Sequence, residues 1–211
     1  MNVTMRDGRN PRGEGWRLRA DLIDAAGRLL EQGVSAEGLS IRAVARAAGV
    51  SAMAPYRHFD DRSALLLALY QNRFAELGDV LDAAATEAGD VPAAKLRSVC
   101  DAYVRYGREN YGPYRVLFGT GFLPTGPVLD DLVGRQLFDR LVALVSAAAV
   151  PGSRSAGDAR RATVSLWCGL HGMVSLRQSK PAFEWPADSL MIDDQLEAHV
   201  GLRGRAEGAP S

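Results

Sequence analysis

The chain has 211 residues, 47% apolar and 24% charged, the composition of a globular protein long enough to bury a sizeable core in one or two domains. No run approaches the ~18 uninterrupted apolar residues of a membrane span, the first residues lack the apolar stretch of a secretory signal, and two cysteines are too few for a disulfide scaffold; the expectation is a soluble protein of the reducing cytoplasm that works away from membranes. The 25 basic and 25 acidic residues cancel, which excludes a protein that coats nucleic acid by bulk charge and leaves only the distribution of charge to consider.

Residues 1–15 are rich in Gly, Pro, Arg and Asn without period and read as a disordered basic arm. Five arginines (Arg6, Arg9, Arg12, Arg17, Arg19) against Asp7 and Glu14 make the first nineteen residues net +3. From Trp16, Leu18, Leu22, Ala25, Ala26, Leu29 and Leu30 recur at three- and four-residue steps, the stripe of an amphipathic helix that Gly33 ends. A shorter helix follows from Ser40, whose hydroxyl suits an N-cap, and Gly49 closes it. Ser51 is a second cap, so a third helix is expected through Ala52-Met53-Ala54-Pro55-Tyr56-Arg57-His58-Phe59, with Pro55 tolerated at the edge of its first turn.

A long helix is expected from Asp61 towards Ala88, interrupted by Gly89-Asp-Val-Pro92; further helices run from Lys95 to Tyr111, Tyr114 to Phe118, Val128 to Val150, Ala156 to Gln178 and Ser189 to Val200. Gly119 to Pro127 reads as a loop, and 202–211 as a disordered tail. With no alternating strand pattern and no repeat, the fold class is all-α. Both cysteines, Cys100 and Cys168, fall in apolar helical segments where a buried thiol is the ordinary outcome.

Two short helices joined by a Gly-containing turn, behind a scaffolding helix, form the geometry that lays a helix in the major groove of DNA. The residues that fill it are Ser40-Ile-Arg-Ala-Val-Ala-Arg-Ala-Ala-Gly-Val-Ser51, Pro55-Tyr-Arg-His-Phe59 and Asp61-Arg-Ser-Ala-Leu-Leu66. From about Trp16 to Tyr70 the chain resembles the DNA-binding domain of the tetracycline-repressor family of bacterial transcription regulators. That resemblance implies a three-helix head at 16–62 and a helical-bundle domain at 63–201 that dimerises and holds a ligand. Val44, Ala45, Ala48 and Val50 are small enough for close helix approach, with Phe59 plugging the seam.

By similarity to the family, Tyr56, His58 and Arg62 reach phosphate oxygens, and the amide end capped by Ser40 faces another phosphate. The family's base-facing positions, behind Ser51, are here Ala52, Met53 and Ala54, which contact thymine methyls but form no side-chain hydrogen bond to a base. Hydrogen-bonded readout then falls on Arg42, with Arg57 as helper, and a dominant guanine is expected in each half-site. Singly, Arg42 is also an ordinary surface charge, Tyr56 an interface aromatic and His58 a helix-end cation; the set at this spacing is what points to double-stranded DNA. The arm either enters a minor groove or is a plain tail.

Leu166-Trp-Cys-Gly-Leu-His-Gly-Met-Val-Ser-Leu176 also looks like the Trp-His-Gly signature of one branch of these carboxy-terminal domains. Ala162, Ser165, Gly169 and Gly172 leave one helix side nearly bare, suited to a helix-helix interface. Trp167 and His171 fall on another side and, with Tyr103, Tyr106 and Phe118, either line a ligand cavity or fill a core. Cys168 and His171 lack the further ligands of a metal site, and no nucleophile triad, paired carboxylate or phosphate loop points to an enzyme or calls for a cofactor. The expectation is a homodimeric repressor released from a near-palindromic operator by a small apolar effector. A helical ligand-binding protein that no longer binds DNA is the alternative, because Ala52-Met53-Ala54 is so apolar.

Overall fold

The computed structural model describes residues 15–118 and 132–202; the basic arm, the glycine-rich loop and the tail expected from the sequence lie outside the described residues. Among these, every regular element is helical. The elements are α1 (Gly15–Glu31), α2 (Ile41–Ala47), a 3-10 turn (Pro55–Arg57), α3 (Arg62–Glu87), α4 (Pro92–Glu109), α5 (Tyr111–Phe118), α6 (Leu132–Ala148), the single turn α7 (Arg154–Gly157), α8 (Ala159–Ser179) and α9 (Asp188–Val200). No described helix is long and apolar enough to cross a membrane.

The chain forms two compact units that interleave in sequence: 15–73 with 112–118, and 74–111 with 132–202. In the first, the α1 stripe buries Leu22, Ala25, Ala26 and Leu30 against Leu39, Ile41, Val44, Leu65 and Leu69. Phe59, 3% exposed, closes the seam as expected, while Ala48 and Val50 pack against the same cluster. Gly33 and Gly49 take φ of +97° and +70°, a left-handed backbone that a Cβ makes costly, and so end α1 and α2. Asp61 caps α3 by accepting from the Ala64 backbone N–H at 2.8 Å.

The third head helix is not an α-helix. Residues 52–54 turn, and only Pro55–Arg57 is helical, in the tighter 3-10 form. Pro55 has no N–H to return to the Ser51 carbonyl, and the bonds that form instead are Ala54 N–H to Ser51, Arg57 N–H to Ala54 and His58 N–H to Pro55, at three-residue spacing, before Phe59 N–H also reaches Pro55 at four. Helix α5 departs from expectation in the other direction, since Gly112 and Pro113 lie inside it. Proline in a first turn loses no hydrogen bond, because those amides have no partner in the helix.

In the second unit α4 packs against α6, α8 and α9, and α8 against α6, α7 and α9. Leu96, Leu166, Ile192 and Leu196 are among its largest fully buried side chains. Helix α8 starts later than expected, at Ala159, because Asp158 accepts from the Arg161 backbone N–H at 2.9 Å and sets the cap. That bond, with the Arg161 side chain, holds the Asp158 carboxyl below its usual range. Cys100 is fully buried, but Cys168 is exposed, contrary to expectation. It lies with Val164 and Gly172 on a face of α8 that is left open to solvent, where a Cβ added at Gly172 would meet nothing within 4 Å.

Candidate nucleic-acid interface and effector region

The head presents one continuous run of exposed groups. Ser40 caps α2 through Oγ, which accepts from the Ala43 backbone N–H at 3.1 Å. Arg42, the second residue of the helix, is exposed, as are Ser51, Ala52 and Arg57. Met53 is 72% and Tyr56 46% exposed although both are large and apolar-bodied, and Trp16 and Phe183 are exposed elsewhere in the chain too. Ala54 and His58 are half-buried, the His58 ring lying 6.4 Å from that of Phe59.

Three arginines take roles that spacing does not reveal. Arg62 donates through Nη1 to the Glu37 carbonyl at 2.6 Å and to the Ala36 carbonyl at 3.3 Å, so it fastens the α1–α2 connection to the start of α3. Its other N–H groups remain available to an anion, since a guanidinium carries five donors. Arg19 places its guanidinium 5.3 Å from the Phe59 ring centre, a cation-π contact that fixes the end of the turn to α1. Arg115 of α5 likewise donates to the Leu30 carbonyl at 3.0 Å, a second bond on an oxygen that also accepts from the Gly33 backbone N–H at the end of α1.

In the second unit the expected aromatic residues are only partly brought together. Trp167 Nε1 donates to the Tyr103 hydroxyl at 3.0 Å, and the Phe138 ring stands 6.2 Å from the indole. Tyr103 and Tyr106 are buried, and Trp167 half-buried. His171 lies one turn along α8 from Trp167 with Nε2 3.2 Å from the Ser175 hydroxyl; burial holds its imidazole below the usual value. Phe118 belongs to the first unit, where its ring packs 4.8 Å from that of Tyr114. Of the bare α8 stripe, Ala162 is buried and Gly169 faces the Gln195 side chain of α9, which a Cβ there would strike. Cys100 next to this region has its thiol pushed up to about 12, chiefly by burial and also by Asp101. No group of three or more metal-ligating side chains occurs among the described residues.

Two family models match this chain: "Bacterial regulatory proteins, tetR family" over residues 22–69 and "Tetracyclin repressor-like, C-terminal domain" over residues 96–200. The carboxy-terminal match is to this model and not specifically to the Trp-His-Gly branch expected from 166–176. A solved protein of unknown function from Rhodococcus sp. RHA1 is 30% identical, with 92% of this chain and 99% of that one covered and a TM-score of 0.74. The fatty acid degradation regulator FadR from Bacillus halodurans is 19% identical, covering 94% and 100%, with a TM-score of 0.68. SmeT, the repressor of the Stenotrophomonas maltophilia multidrug efflux pump SmeDEF, is 18% identical, covering 92% and 96%, with a TM-score of 0.67. No curated protein matches the sequence. With both its head and its carboxy-terminal unit matched by models of one family, this chain belongs to the tetracycline-repressor family of transcription regulators.

Proposed function

We propose that the protein is a homodimeric repressor that binds a near-palindromic operator through paired heads and leaves it when a small apolar effector enters the second unit. The reading rests on one observation above the others: Met53 and Tyr56 stand exposed on the turn that follows the Ser40-capped α2. Ser40, Tyr56, His58 and Arg62 serve as phosphate contacts and set register. Arg42, helped by Arg57, reads guanine, and Ala52, Met53 and Ala54 behind Ser51 read thymine methyls. Residues 16–62 carry this work, and 63–201 carry dimerisation and effector binding.

Dimerisation uses the open face of α8, where Val164, Cys168 and Gly172 give a partner helix room to approach. One three-helix head makes too small an interface for operator-level affinity, and a two-fold axis doubles it. The effector contacts Tyr103, Tyr106, Trp167 and His171 within the second unit. It acts only as far as it favours the arrangement that does not fit the operator.

Selection from random duplexes at physiological salt tests this reading. The wild type is expected to enrich an inverted repeat with a guanine in each half-site; Arg42→Ala loses that guanine, and Tyr56→Phe weakens binding across all sequences. If no duplex is enriched even at low salt, the protein is a ligand-binding protein without a DNA function, and the head reading fails.

A further inference from the structure

Helix α4 has two working faces. Tyr103 and Tyr106 are on its buried side. Arg105 and Arg108, on the other, line a groove of about 820 Å³ whose remaining walls come from α8, α9 and the segment between them.

Arg177 of α8 holds the far wall. Its guanidinium donates to the Pro186 carbonyl, pairs with Asp188 at 2.8 Å and lies 5.4 Å over the Trp185 ring. Trp185 Nε1 in turn donates to the Lys180 carbonyl at 3.0 Å. The indole is therefore fixed in place within the groove before anything binds, and a ligand spends little on ordering it.

The near wall carries Arg105 and Arg108 beside Asp101 and Glu109, and one of its arginines shares its partner with the far wall. Asp188 is gripped by Arg108 as well as Arg177, so Arg108 can turn to another anion while Asp188 keeps a partner. Arg105 is exposed; burial raises the Asp101 carboxyl above its usual range, and Arg97 and Arg105 offset only part of that. Three residues apart on a helix, the Arg105 and Arg108 guanidiniums are neighbours and offer the forked N–H donors that suit a carboxylate. Pro181 and Trp185 supply an apolar flank, above the buried Val104 and Ile192. Asp101 and Glu109 also border the groove, and their carboxylates disfavour a second negative charge on the ligand.

We propose that this groove binds an organic monocarboxylate with a flat apolar body, the carboxylate on Arg105 and Arg108 and the body against Trp185 and Pro181. It is a second site, on the opposite face of α4 from the aromatic residues assigned to the effector, and it stands independently of that assignment.

Calorimetric titration of the full chain with 2-naphthoate tests it. Saturable heat is expected, and Arg105→Gln should weaken binding about tenfold or more, the loss of one charge-assisted bond. The neutral 2-naphthylmethanol should bind weakly and 2-naphthyl phosphate less well than the carboxylate, while Tyr103→Phe leaves 2-naphthoate affinity unchanged. Arg105 holds nothing else in place, so the variant should melt like the wild type and the comparison is between folded proteins. Absence of saturable heat, an unchanged affinity in Arg105→Gln, or tighter binding of the phosphate overturns the proposal. Loss of binding in Tyr103→Phe with Arg105→Gln unaffected assigns the ligand to the effector region, which overturns the groove and leaves the repressor reading intact.

Discussion

Single side chains in the head separate into those that build it and those that face outward. Ser40 is a builder first: its hydroxyl satisfies the Ala43 amide, and Ser40→Ala should cost about 1 kcal/mol, seen as a lower midpoint in urea unfolding. Arg62 is one too, because its bonds to the Ala36 and Glu37 carbonyls make Arg62→Ala a stability variant as well as a DNA-binding one. Tyr56, largely exposed, should behave otherwise: Tyr56→Phe loses operator affinity with no change in melting temperature. If the two variants lose stability and affinity in the same proportion, the division is wrong. In the second unit, His171 carries a pH dependence. Burial lowers its folded pKa below the ordinary 6.5, so the unfolded chain takes up the proton first and stability falls as pH drops below that value. Thermal melts at pH 7.5 and 5.5 should show a larger loss for the wild type than for His171→Gln; equal losses would clear His171 of the effect.

At the level of elements, the helices with a one-sided apolar stripe were legible from spacing alone. Leu22, Ala25, Ala26 and Leu30 mark the buried side of α1, and Gly33 and Gly49 are stops because their left-handed backbone is the continuation a helix cannot make. Gly49→Ala should therefore cost roughly 1–2 kcal/mol, measurable by denaturant unfolding, although a Cβ there would meet no neighbour. The turn at 52–57 was misread because periodicity counts side chains and not amide hydrogens. One missing N–H at Pro55 converts the run to three-residue bonding. Asp158 was overlooked as the start of α8 because the apolar pattern continues on both sides of it. The site was legible only where its residues follow one another in sequence, as from Ser40 to Arg62. The groove draws on α4, α8, α9 and the segment between the last two, from Asp101 to Ile192, and no local pattern connects Arg105 with Trp185.

For the whole molecule, net charge of zero and DNA binding are compatible because phosphate contacts depend on a local set. With Ser40, Tyr56, His58 and Arg62 repeated in each copy of a dimer, operator affinity should fall steeply with salt, log K dropping linearly in log salt concentration. A slope near zero in fluorescence anisotropy titrations between low and physiological salt would contradict the phosphate assignments. The two units are also built differently. The first is an apolar cluster around α1 with Arg73 paired to Glu31 beside it, whereas the second adds several ion pairs, the partly buried Arg97 with Asp193, Arg108 with Asp188, and the exposed Arg140 with Asp82 at 2.5 Å. An exposed pair such as Arg140 with Asp82 contributes little by itself, and the second unit depends, like the first, on its buried leucines and isoleucine.

The contrast between the two thiols gives the molecule a built-in clock. Cys168 is open to solvent, whereas Cys100 is enclosed and held protonated, and only a thiolate attacks a disulfide reagent. Added to the native protein at neutral pH, Ellman's reagent should release one equivalent of chromophore per chain, promptly where the α8 face is open and more slowly once a partner helix covers Cys168. The second equivalent then appears at the rate at which the α4 core opens, so a cuvette and a stopwatch report on global unfolding without any engineered label.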